Sequence, residues 1–475
     1  MVPDLATPKR VHVVAVGGAA MSAIAYILQA SGHIVSGSDE APSPILERLR
    51  AMGCVIWVGH HAEHVRGSDL VVISTAVQAS NPERAAAESF GIPIATRADM
   101  MEALGRLRRT VAISGTHGKT TTSAMAAQVF VDVGFDPSFI VGGQIRRFDG
   151  GVRWVNSPWL VVEADESDSS FLRFGAEAVI VTNIEADHLD HHATMEGLEA
   201  AFDKFVRQAT GPRVVCVDDP GCRALRARID GVGSSLRSRD GYVPIITYGT
   251  APNADVRITD VNALPLGSQF VLDHGGSRTA VAIRVPGLHN VRNATAVFAM
   301  AVALGGEPEA AAASLAGFEG VGRRFERRGE AGGVTFVDDY AHLPSEVAAT
   351  VLAAAQGGWS RVVAVFQPHR YTRVRDVGRD FATSFDGADV VVVTELYAAG
   401  QEPIAGIDAR VVSQAIRRSR PALDVRDTSS RVELVELLAA LLRPGDLCLT
   451  MNAGDLTTLP DTMLSHPALA VPPVS

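Results

Sequence analysis

The sequence predicts an α/β protein of three consecutive domains, the first and last Rossmann-like and the middle one of the P-loop ATPase kind. Three observations carry that expectation. Short β-branched runs alternate with helical patterns along the chain, as in strand–helix–strand units on a parallel sheet. The alternation breaks and restarts twice, near Arg106 to Arg109 and in the Gly- and Arg-rich stretch Gly317 to Arg328. The first restart opens on Val111 to Thr122, where a strand empties into Gly-x-x-Gly-Lys-Thr and a helical pattern follows. The expected domains are 1–107, 108–320 and 321–475.

At 475 residues the chain is too long for one core. With 47% apolar and 20% charged residues it is an ordinary folded protein rather than a disordered one. A net charge of −10 without a Lys/Arg block argues against a nucleic-acid surface. Cys54, Cys216, Cys222 and Cys448 lack C-x-x-C spacing and read as reduced, buried thiols of a cytoplasmic protein. The nearly uncharged run Val11 to Ser31 resembles a signal peptide or a membrane span. His12, Gly17, Gly18 and Gln29 interrupt it, so it is read as strand plus helix, with no membrane as partner.

In chain order, the strand at 11–16, the turn at Gly17-Gly18 and the helix at 21–30 lead to a second strand ending at Asp39. An acidic residue about twenty positions after the turn fits a nucleotide-binding βαβ unit. The fingerprint departs from G-x-G-x-x-G, because Ala15 and Ala20 stand at its first and third glycines. The first departure matters more, since that glycine permits the tight turn.

In the second domain the glycines let backbone N–H groups face a polyphosphate. Lys119 is placed to neutralise the β- and γ-phosphates of ATP or GTP, and the Thr120 hydroxyl to ligate Mg²⁺. Strands at 159–162 and 178–182 empty into Glu163 to Asp168 and Asn183 to His192, on the edge where the phosphate loop sits. Carboxylates there hold Mg²⁺, with Glu166 or Asp165 the candidate, and His188 is a metal or phosphoryl candidate. In the third domain, strands end in Asp338-Asp339-Tyr340-Ala341-His342 and Gln367 to Arg373. Arg370 and Arg373, three apart at a helix start, can share one face and bind a carboxylate or phosphate.

With these clusters in order the chain resembles the Mur ligases, the ATP-dependent amide-forming enzymes of peptidoglycan precursor synthesis. The resemblance rests on Gly115-Thr116-His117-Gly118-Lys119-Thr120-Thr121, Glu163 to Asp168, Thr182 to His188, His289-Asn290 to Asn293, Arg323 to Glu326, Asp338 to His342 and Phe366 to Tyr371. These run in family order over essentially the whole chain, and the acidic and Gln-Pro-His-Arg-Tyr motifs look most like the first-step, L-alanine-adding branch. The resemblance implies a UDP-substrate domain with Gly17, Gly18 and Asp39 at the substrate, a central ATP domain, and a C-terminal amino-acid domain. Gly115 through Thr121 would bind ATP, with Mg²⁺ (or Mn²⁺) on Thr120, Glu166 and His188. Asn290 and Asn293 would meet the adenine, and Arg324 and Asp339 would complete the nucleotide site. Tyr340 and His342 would lie near the reacting groups, and Arg370 and Arg373 would hold the amino acid's carboxylate. Lys119, Glu166, His188, His342 and Arg370 would be the catalytic set. The partners are small molecules: a UDP-sugar carboxylate, an amino acid and ATP. The protein itself is expected as a monomer or homodimer.

Ala15, Ala20, Leu343 in place of the usual second histidine, and Asn452 in place of the usual glycine depart from the family pattern. They leave open a divergent paralogue acting on a different carboxylate; the alternative of another class is a nucleotide-dependent switch that performs no ligation, against which Glu166, His188, Arg370 and Arg373 argue.

Overall fold

The computed structural model describes residues 2–74, 76–167, 169–187, 189–231, 237–238, 241–242 and 245–469. It has the three-domain α/β architecture expected, and its residues pack as two compact units. One comprises Met1–Ile258, Asp273–Thr279 and Asn293–Ser314, the other Thr259–Leu272, Ala280–Arg292 and Leu315–Ser475.

The first unit begins with a five-stranded parallel sheet, in the order Val55–Val58, Ile34–Asp39, Arg10–Val14, Leu70–Ile73, Ile94–Thr96. The central strand is buried beyond Arg10, and the helix Ala19–Ala30 buries Met21, Ile24, Ile27 and Leu28 against the sheet. The suspicious run Val11 to Ser31 is thus one strand and one helix. Among the described residues no helix is long and apolar enough to cross a membrane. The four cysteines are free and buried.

The next sheet is organised around the strand Arg109–Ser114. Its two neighbours are Ala178–Val181 and Trp159–Glu163, both parallel to it. The loops leaving all three strands therefore lie side by side on one edge, and the phosphate loop is flanked by both acidic clusters. Beyond them the sheet continues through Arg213–Cys216 and Ile245–Gly249 on one side and Ser138–Ile145 on the other. The helix Lys119–Asp132 follows the loop and is buried almost all round, with Met125, Val129 and Phe130 inaccessible. A helix with no solvent face is a rigid mount for its own N-terminus.

In the second unit a six-stranded sheet runs Glu326–Ala331, Val334–Asp339, Asp446–Met451, Arg361–Phe366, Val390–Val393, Asp424–Asp427. Only the first strand is antiparallel to its neighbour. Val334–Asp339 and Asp446–Met451 are buried at every position, as strands covered on both faces must be.

Candidate active site

The phosphate loop is shaped by two glycines in conformations that side chains resist. Gly115 has φ 141° and Gly118, the residue before the helix, has φ 79°. A Cβ on Gly115 would collide with the Thr182 hydroxyl, and one on Gly118 would lie 2.8 Å from Asn293 Oδ1. The loop is then tied to the neighbouring strand end. Thr116 N–H donates to the Asn183 carbonyl, His117 N–H donates to Asn183 Oδ1 (2.8 Å), and the Thr182 hydroxyl and Asn183 Nδ2 donate to the His117 carbonyl. Thr116 also bridges to Glu185, and His117 Nε2 lies 3.3 Å from Glu185 Oε2. Thr182, Asn183 and Asn293 thus set the shape of the cradle.

Lys119 Nζ donates to Gly115 O (2.8 Å) and to both oxygens of Glu166 (2.8 and 2.9 Å). Glu166 is 1% exposed. Its burial pushes the carboxyl above the usual range, and the attraction of Lys119 only partly opposes that. The Thr120 hydroxyl donates to Glu163 Oε1 (2.8 Å), whose other oxygen accepts from Gly142 N–H. Asp165 is turned aside, accepting from Ser167 N–H and hydroxyl. Between Asp165 and Glu166, the geometry therefore favours Glu166. Glu163 is the residue that sequence reasoning missed, although it ends a recognised strand; only the neighbouring strand's register brings it to Thr120. His188 lies outside the described residues.

A hydroxyl that gives its proton to a carboxylate keeps its lone pairs for a cation. Thr120, Glu163 and Glu166 are hard oxygen donors gathered at the first two residues of the helix, Glu163 on Thr120 and Glu166 on Lys119, which fits Mg²⁺ completed by phosphate oxygens and water. Among the described residues no group of three or more His, Cys, Asp or Glu side chains converges as a self-sufficient metal site.

At the first sheet's edge, Ala15 adopts φ 58°, the left-handed conformation the missing glycine would supply. The tight turn is therefore made despite the methyl group, at a cost of about 1–2 kcal/mol. Gly17 N–H donates to Asp39 Oδ2 (2.8 Å), where a Cβ on Gly17 would collide, and Gly18 leads into the helix in an extended conformation. Behind this edge lies an unanticipated cluster. Glu83, fully buried, accepts from the Ser38 hydroxyl (2.5 Å) and lies 3.0 Å from His60 Nδ1, 2.7 Å from His64 Nδ1 and 3.5 Å from His12 Nε2. Burial pushes its carboxyl up, but bonds from His12, Ser38 and His64 outweigh that and hold it at about 2.

In the second unit Asp339 is a buried organiser. Its oxygens accept from Phe325 N–H (2.6 Å) and Ala341 N–H (2.7 Å), which fixes the two loops carrying Arg324 and His342. Burial raises its carboxyl, with Arg324 opposing. The guanidinium groups of Arg323 and Arg324 lie over the Tyr340 ring at 4.8 and 5.0 Å. Asp338 accepts from Asn452 Nδ2 and Thr457, and burial pushes it up to about 6. Asn452, the departure from the family's glycine, also accepts from Arg323 (2.9 Å). Asn290 donates to the Pro286 carbonyl (2.8 Å). The Arg370/Arg373 expectation needs correction. Arg370 has φ 66° and precedes the helix Tyr371–Val377, so the two do not share a helical face. Arg373 instead reaches His369 Nδ1 (3.0 Å), while Arg370 is exposed.

Comparison with known proteins gives the family. Residues 10–109 match the Mur ligase family catalytic domain, 113–301 the Mur ligase middle domain, and 323–454 the Mur ligase glutamate ligase domain. A UDP-N-acetylmuramate–L-alanine ligase of Bradyrhizobium sp. (strain ORS 278) is 42% identical over 456 residues, 94% of this chain and 95% of that protein. One from Kineococcus radiotolerans is 43% identical over 96% of each. The crystal structure of the UDP-N-acetylmuramate-alanine ligase MurC from Thermotoga maritima superposes with a TM-score of 0.77 at 27% identity, covering 96% of this chain and 98% of that one. The likeness spans all three domains and both sets of strand-end clusters, and the chain belongs to the Mur ligase family of ATP-dependent ligases.

Proposed function

We propose that this chain joins L-alanine to the lactoyl carboxylate of UDP-N-acetylmuramate through an acyl phosphate, in the cytoplasm, where ATP and UDP-sugars are found. The observation that carries the reading is the pairing of Lys119 and Thr120 with Glu166 and Glu163 in a loop held by Thr182, Asn183 and Asn293. It is supported by relatives of that name over nearly the whole chain.

In this reading a carboxylate oxygen attacks the γ-phosphorus as the bond to ADP breaks. The amine then attacks the acyl carbon, the C–N bond forms, the C–O bond breaks and inorganic phosphate leaves. Lys119 and the loop N–H groups stabilise the phosphoryl charge. Thr120, Glu163 and Glu166 would hold Mg²⁺, with His188 from the resemblance, and the ion supplies charge neutralisation on the phosphate oxygens. Asn290, Asn293 and Arg324 serve the nucleotide, and Asp339 fixes the loop carrying Arg324. Gly17, Gly18 and Asp39 receive the UDP diphosphate end. Tyr340, His342, Arg370 and Arg373 receive the amino acid. Ala15 keeps the turn in the glycine-like conformation, which supports the usual substrate over a different carboxylate.

A coupled ADP-release assay with UDP-N-acetylmuramate and L-alanine, glycine or L-serine tests this, with Lys119→Ala as control. The expected result is turnover that requires both substrates, is fastest with L-alanine and is lost in the control. Slow ADP release without any amino acid would instead indicate a switch. Amino-acid-dependent release only with another carboxylate would indicate a paralogue.

A further inference from the structure

His342 sits beside a carboxylate that the proposed chemistry has not used. Its Nδ1 lies 3.0 Å from the Tyr340 carbonyl oxygen and 3.1 Å from Glu346 Oε2. Both are acceptors, so Nδ1 carries the hydrogen and the lone pair is left on Nε2. Glu346 is itself held, because the same oxygen accepts from His342 N–H (3.0 Å) and Leu343 N–H (3.2 Å) at the start of the helix Pro344–Ala355. Both side chains are 14% exposed, so the pair is largely shielded from water.

The ring faces a second histidine of the opposite tautomer. His369 lies 6.0 Å away between centroids, at 74°. Its Nδ1 accepts from Arg373 Nη1 (3.0 Å), and it stacks on Tyr397 at 5.7 Å. Burial, with Arg373, His342 and Arg370, lowers it to about 4. At neutral pH it is therefore uncharged, with its hydrogen on Nε2. The groups facing His342 are thus Glu346 on the helix that follows it, Tyr340 before it, and His369 and Arg370 from the loop after Arg361–Phe366 with Arg373 on the helix Tyr371–Val377.

We propose that Glu346 is a positioning residue that fixes the Nδ1–H tautomer of His342, so that Nε2 accepts a proton from the ammonium of the incoming amino acid. This rests on the ligase reading above. The ammonium N–H bond breaks and its proton moves to Nε2, giving an imidazolium whose charge Glu346 balances. The freed amine pair forms the C–N bond, the second proton leaves with phosphate, and the imidazolium returns its proton to water after product release. The common alternative, that Glu346 only caps a helix, predicts no link to the tautomer.

The test uses the full chain labelled with ¹⁵N-histidine, with His342 assigned by difference against His342→Asn. Long-range ¹H–¹⁵N correlation is expected to show a protonated Nδ1 and a bare Nε2 in the unsubstituted protein. Glu346→Gln keeps an oxygen for the two backbone N–H groups but removes the charge. With the Tyr340 carbonyl left as the acceptor for Nδ1, it is expected to shift the tautomer ratio part of the way towards Nε2–H and, by removing the charge that balances the imidazolium, to lower kcat roughly 10- to 100-fold, with KM for the amino acid nearly unchanged. A protonated Nε2 in the unsubstituted protein overturns the proposal without requiring any variant to fold. So does a Glu346→Gln protein with unchanged tautomer and kcat. The tautomer spectrum needs no turnover: with the expected spectrum, a protein silent on every amino acid would refute the ligase reading and the proton-transfer step together, whereas the wrong spectrum in an active ligase would refute the role of Glu346 alone.

Discussion

Glu83 and Glu166 are almost equally removed from water, at 0% and 1% exposure, yet they ionise in opposite senses. Glu83 is ringed by Ser38, His12, His60 and His64 and held at about 2. Glu166 has Lys119 as its cation and Asp165 as a like-charged neighbour, and burial wins, raising its carboxyl. Both carboxylates lose hydration; they differ in how many fixed donors replace it. A saturated carboxylate belongs to the scaffold. An undersupplied one beside a phosphate loop has capacity left for a ligand.

The largest effect expected from breaking this contrast is in Lys119→Ala, which should lower ligation about 10³-fold or more through lost phosphoryl stabilisation. It should also destabilise the protein by about 3 kcal/mol, since Glu166 is left buried without a cation. Denaturant unfolding of Lys119→Ala with and without Glu166→Gln checks the second effect, which the double variant should largely reverse. Next, the isosteric pair Glu83→Gln and Glu166→Gln should separate in sign. The first should cost about 3 kcal/mol at pH 7, while the second should leave stability equal or slightly higher yet lower kcat about 10²-fold. Equal stability losses would erase the contrast.

The pH dependence sharpens it. Glu83 is depressed from 4.5 to about 2, so its contribution is complete above pH 4.5 and is lost as pH falls towards 2. Glu166 is raised, so its proton is held more tightly in the folded state, and its contribution is largest below its unfolded value and declines as pH rises. Unfolding midpoints from pH 7 to pH 3 should therefore fall less steeply in Glu83→Gln than in the unsubstituted chain. The smallest effect concerns the backbone: Ala15→Gly should stabilise by about 0.5–1 kcal/mol, because relief of the left-handed strain slightly exceeds the entropy glycine adds to the unfolded chain. A loss would mean the methyl group packs favourably.

Much of this was legible in residue order. Arg109–Ser114, Trp159–Glu163, Ala178–Val181 and Val390–Val393 announce themselves as β-branched runs, and the loop after the first of them needs only its glycines and lysine to be recognised. What stayed hidden depends on which strands are neighbours. Glu163 meets Thr120 across 43 positions, and His12 meets Glu83 across 71. In sequence Glu83 looks like an ordinary acid in a helix's first turn, and nothing local marks its histidines. Arg370 misled for the opposite reason: its spacing to Arg373 suggested a helical face, but the backbone turns left-handed at Arg370 and the helix starts one residue later.

The resting place of Lys119 has a consequence for what the loop selects. An arriving polyphosphate does not meet a bare cation; it must exchange for a carboxylate that already holds the ammonium at 2.8 Å. A nucleotide without a divalent ion would set its oxygens against Glu166, whereas one carrying the ion relieves that carboxylate as the lysine departs. In the proposed reading the two ligands would thereby be linked, each raising the other's affinity by the same factor. Simple anions such as orthophosphate, which bring no cation of their own, would gain little hold. The internal counter-ion would act as a filter for the metal–nucleotide complex.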